Sequence, residues 1–74
     1  MFHALRLKHE QIRIQNDVLE VFETFGIEPS PQNQLDYLMA LEWQVMRRLN
    51  RPVRQYRLYL QGIDAEIARL KALL

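Results

Sequence analysis

The stretch PVRQYRLYLQGIDAEIARLKALL, residues 52–74, carries the sharpest pattern in the chain. Val53, Tyr56, Leu60, Ile63, Ile67, Leu70 and Leu74 follow one another in alternating steps of three and four. That is the a/d seam of a heptad repeat, and it predicts a helix from Pro52 to near residue 73. The flanking positions hold Arg57, Asp64 and Lys71 on one side, and Tyr59, Glu66 and Leu73 on the other. A parallel pair would set Glu66 against Lys71, and an antiparallel pair Arg57 against Asp64, so the charges allow both. Gly62 falls on the outer face of this wheel and marks a place where the helix can bend.

Upstream, Asn50-Arg51-Pro52 breaks the pattern, because a residue before proline is pushed out of helical geometry. A second helix is predicted over 31–49. Its stripe is Leu35, Leu38, Met39, Val45, Met46 and Leu49, widened by Leu41 and Trp43. Ser30-Pro31 reads as an N-cap followed by the first helical residue. Gly26 sits where a helix end wants a left-handed residue, Ile27 can fold back on Phe22, and Pro29 forbids continuation. A first helix over 2–25 carries two rows at seven-residue spacing: Leu5, Ile12, Leu19 and Leu7, Ile14, Val21. Val18, Phe22 and Phe25 fill the face between them. The connection between the two helices is short enough to force an antiparallel hairpin. The predicted fold is all-α: that hairpin plus the heptad-patterned third helix, as a bundle or coiled-coil assembly, forming one domain over residues 1–74.

Composition narrows the class. The chain has 74 residues, 10 basic against 9 acidic, and a net charge of +1. Hydrophobic residues make up 49% and only 2 Gly and 3 Pro are present, which excludes disordered and low-complexity chains. Without cysteine there is neither a disulfide framework nor a thiolate metal site. No apolar run approaches the ~18 residues of a membrane span. The opening MFHALRLKHEQ lacks the features of a signal peptide, so a cytoplasmic location is expected. A core this small rarely supplies more than ~3–5 kcal/mol, so a second copy or a protein partner is the common remedy. Three heptads fit an intramolecular seam as well as an intermolecular one. The shortness of the chain favours the latter, with Val53, Tyr56, Leu60, Ile63, Ile67 and Leu70 as oligomer contacts.

Arg47, Arg48, Arg51, Arg54 and Arg57 form a basic run with no acidic residue between Glu42 and Asp64. Three of them lie at the start of helix 3, where the helix dipole disfavours cations. An anionic partner, acidic protein or phosphate, would offset that, as would local ion pairs. An up-down-up arrangement would also place these arginines beside His3, Arg6, Lys8, His9 and Arg13, with Asp17, Glu20, Glu23, Glu28 and Asp36 at the other pole. Glu42 interrupts the apolar stripe of helix 2 and calls for a cation or donors, with Lys8, an arginine of helix 3, Gln11 and Gln15 as candidates. No second acid or base is expected beside it. His9-Glu10 opens a zincin-like motif, but Arg13 stands where its second histidine belongs. No metal or cofactor is expected, and no catalytic set emerges.

The expected function is a non-catalytic protein–protein interaction module: a small helical adaptor, regulator or inhibitor. Its expected partners are a second copy of itself, another protein with an acidic surface, or both. A small DNA- or RNA-binding regulator using the same arginines is the second reading, since Arg and Gln at a helix start can read bases. A structural oligomerisation subunit of a larger assembly is the third.

Overall fold

The computed structural model describes residues 2–48 and 54–74. They form α1 (Phe2–Phe25), α2 (Pro31–Arg48) and α3 (Arg54–Leu73), the all-α architecture that the periodicities predict. The predicted break at Asn50-Arg51-Pro52 lies outside the described residues.

The turn after α1 follows its local chemistry. Gly26 has φ 66°, the left-handed conformation that costs glycine nothing. Its N–H donates to the Glu23 carbonyl at 3.3 Å, and the Ile27 N–H donates to the Phe22 carbonyl at 2.8 Å. This pair of bonds is a Schellman cap, which satisfies carbonyls at the helix end. Ser30 then caps α2: its Oγ accepts from the Asn33 N–H at 3.2 Å, and its carbonyl accepts the first helical bond from Gln34. Pro31 occupies the first helical position, where its missing N–H removes nothing. The side chains of Asn33 and Gln34 clamp the loop by donating to the carbonyls of Glu28 and Pro29.

Both α1 and α2 pack principally on α3, and much less on each other. Ile14, Val18 and Phe22 of α1, Leu35 and Leu38 of α2, and Ile63, Ile67 and Leu70 of α3 make the core. Burying an aliphatic or aromatic side chain of this kind contributes about 1.5–3 kcal/mol. Phe22 also meets Tyr37 edge to face, with ring centroids 5.6 Å apart. Tyr59 of α3 shares a groove with Glu10 and Arg13, and two turns further along α3, Glu66 meets Gln11 and Gln15.

Two apolar rows on α1 have different fates. Leu7, Ile14 and Val21 turn inward, while Leu5, Ile12 and Leu19 stay exposed, as does Phe25. Gly62 departs from the outer position predicted for it. It is buried at the crossing of α3 with α1, where an added Cβ would lie 2.7 Å from Ile14 Cδ1 and 3.0 Å from Glu10 Cγ. The heptad wheel accounts for one neighbour only. With α1 on one side and α2 on the other, the buried arc of α3 widens to include Gly62 and Glu66. Among the described residues no helix is long and apolar enough to cross a membrane.

Candidate functional site

The heptad seam expected to face another chain is, from Ile63 to Leu70, buried within its own. Ile63 is 0% exposed and Leu70 1%, and Ile67 is nearly as deep. Leu60 is half-buried and Tyr56 exposed. Val53 lies outside the described residues. A second chain could not reach Ile63, Ile67 or Leu70 without opening the core, so contact with other molecules falls to the residues left outside.

The most buried polar group is Glu66, at 0% exposure. A carboxylate removed from water must be compensated by charge and donors. Arg69, one turn along α3, reaches it with two N–H groups, Nε to Oε1 at 2.5 Å and Nη2 to Oε2 at 3.1 Å. From α1, Gln11 Nε2 and Gln15 Nε2 donate to Oε1 at 3.3 and 3.0 Å. The Glu66 hydrogen bond is also what raises the Arg69 guanidinium above its ordinary value. The two glutamines therefore serve Glu66 and not Glu42, to which the sequence pattern had matched them. Two amides one turn apart on the inner side of α1 were the signal that a buried acceptor lay opposite. Glu66, assigned to the flank of a single seam, was missed as that acceptor.

Glu42 has a different partner. Asp64 of α3 lies within hydrogen-bond reach, so a second carboxyl does stand beside it. That hydrogen bond, then burial, then the charge of Asp64 push the Glu42 carboxyl up to about 7, against an opposing pull from Lys71. This contact of two carboxyl groups joins α2 to α3.

The described part of the arginine run is exposed: Arg47, Arg48 and Arg57 all face solvent. None of them forms a salt bridge among the described residues. Arg51 and the side chain of Arg54 lie outside that description. Arg47 and Arg48 occupy the last turn of α2, where a cation favours the dipole. The Arg47 guanidinium also stacks over Trp43, 5.0 Å from its ring centroid. Trp43 is 60% exposed, and Met39 and Met46 are exposed beside it at helical spacing. These three form an apolar ridge along the outer side of α2, ending in two arginines.

An open groove of about 460 Å³ lies between α1 and α3, lined by Glu10, Arg13, Tyr56, Leu58 and Tyr59. Arg13 and Glu10 form an ion pair across one turn, which raises the Arg13 pKa above its ordinary value. Burial raises the Tyr59 hydroxyl. The Glu42–Asp64 pair is not part of this groove's lining. Among the described residues no cluster of three or more His, Asp or Glu is placed to hold a metal ion. Comparison with known proteins gave no match to a family model, a curated protein or a solved structure.

Proposed function

We propose that this chain is a non-catalytic protein–protein interaction module, a small helical adaptor, regulator or inhibitor, and that its partner is an acidic amphipathic segment docking along α2. The observation that carries this reading is the exposed ridge of Met39, Trp43 and Met46 ending at Arg47 and Arg48. Interfaces favour Trp, Met and Arg: aromatic and thioether groups supply contact area, and Arg supplies planar donors. The stack of Arg47 on Trp43 holds both side chains ready, which lowers the ordering cost of binding. The two arginines select acidic groups and speed encounter with them. A partner with Leu or Phe at i, i+3 or i+4, and i+7, and Asp or Glu at its edge, matches this surface.

Selection from a displayed library of random helical peptides tests the proposal. Enrichment of acidic sequences with apolar anchors is expected, with binding lost in Trp43→Ala and weakened in Arg47→Gln. Indifference of the selected peptides to Trp43→Ala would overturn it. So would exclusive binding of duplex DNA or RNA that collapses between about 50 and 200 mM salt, which belongs to the phosphate reading of the same arginines.

A further inference from the structure

A second apolar surface lies on α1, away from the α2 ridge. Leu5 is 56% exposed, and Ile12 and Leu19 are each 43% exposed. At seven-residue spacing they form one straight row along the helix, about 21 Å long at 1.5 Å per residue. The row is symmetric about its centre, with an isoleucine in the middle and a leucine seven residues to either side.

We propose that α1 pairs antiparallel with α1 of a second copy of this chain, with Ile12 on the two-fold axis. A two-fold interface brings one patch against itself, so the patch must be self-complementary. In this register Leu5 meets Leu19 of the second copy, Ile12 meets Ile12, and Leu19 meets Leu5.

The charges agree with that register. The outer flank of the row carries Arg6, His9, Asn16 and Glu20, all exposed. Reversal about Ile12 sets Arg6 within about 3 Å, along the axis, of Glu20 in the second copy. It sets His9 beside Asn16 of that copy, one residue out of step. Both pairings occur twice by symmetry. Arg13, the cation nearest the axis on this flank, is already neutralised by Glu10 of its own chain. A parallel pair would instead stack Arg6 on Arg6 and Glu20 on Glu20. The basic first half of α1 and its acidic second half thus choose the antiparallel direction.

The 74-residue sequence contains no cysteine, so single-cysteine variants report directly. Ile12→Cys should crosslink to itself under mild oxidation. Leu5→Cys and Leu19→Cys should crosslink to each other in a mixture faster than either does alone. Light scattering of the unmodified chain should show mass rising toward two copies over about a hundredfold in concentration. Arg6→Glu and Glu20→Arg should each weaken the pair, and the double exchange should restore it. A single-copy mass throughout, or faster self-crosslinking of Leu5→Cys and Leu19→Cys than of their mixture, would overturn the antiparallel pair. Circular dichroism of each variant separates loss of pairing from loss of fold. Because the row excludes Met39, Trp43 and Met46, Trp43→Ala should leave pairing unchanged.

Discussion

Gly62 of α3 and Ile14 of α1 meet at the helix crossing with no room for a methyl group between them. A Cβ on Gly62 would sit 2.7 Å from Ile14 Cδ1, well inside van der Waals contact. In an open helix Gly→Ala gains about 1 kcal/mol of helix propensity. Here an overpacking cost of about 1–3 kcal/mol opposes that gain, so Gly62→Ala should fail to stabilise and should cost up to about 2 kcal/mol. Ile14→Val removes the offending Cδ1. On that background Gly62→Ala should be better tolerated, and a double-mutant cycle by urea unfolding should show coupling of about 1 kcal/mol. Additive effects would mean that the crossing is looser than the geometry describes.

Glu66→Ala removes the shared acceptor of Gln11, Gln15 and Arg69. Arg69 is 43% exposed and returns to water, so the loss falls on the two half-buried amides left without their acceptor, about 1–3 kcal/mol. The expected result is a thermal transition shifted to lower temperature. Replacing Glu66, Gln11 and Gln15 together by Met or Leu should restore the stability, because neither the buried carboxylate nor the amides that face it then remain. An unshifted transition in Glu66→Ala would show that the network contributes little.

Glu42 gives stability a pH dependence of defined sign. Its carboxyl titrates near 7 in the fold, against an ordinary value of 4.5. Between those values the folded chain holds a proton that the unfolded chain has lost. The stabilisation is therefore complete below pH 4.5 and declines as pH rises to about 7. Glu42→Gln should flatten that decline and stabilise the chain at about pH 8. Partial exposure keeps the gain to about 1 kcal/mol. Urea melts of both proteins across this range provide the measurement, and parallel curves would contradict the raised Glu42 carboxyl.

Ile63 and Ile12 are both isoleucines in heptad-like rows, yet one is sealed in the core and the other is exposed. Ile63→Asp should abolish helicity at any concentration, since it buries an unpaired charge. Ile12→Asp should keep the helical signal and lower only the mass in solution. Equal loss of helicity in both would mean that the row on α1 is a folding element and not a contact surface.

The first two helices were legible because the turn between them has strong punctuation. Phe25-Gly26 and Ser30-Pro31 carry their cap geometry in their side chains. The inner rows were legible through Ile14, Leu38 and Ile63, which recur at helical spacing. Legibility failed where three helices differ from two. A heptad seam assigns one partner to α3, whereas α1 and α2 lean on it from two directions, drawing Gly62 and Glu66 inside. The same geometry leaves half of the broad α1 face, and the ridge from Met39 to Met46, without cover. Hydropathy alone does not distinguish Leu19 from Val18, or Trp43 from Leu38, because which apolar row is used depends on where the neighbour stands. Asp64 was invisible as the companion of Glu42, since 22 positions separate them and only the fold closes that distance.

That α1 and α2 rest chiefly on α3 has a consequence for how the protein is made. During synthesis the first two helices emerge with no adequate mate for their greasy sides. Only when α3 has left the ribosome do Ile63, Ile67 and Leu70 arrive to gather them. Until then the nascent polypeptide is exposed to chaperones and to premature association.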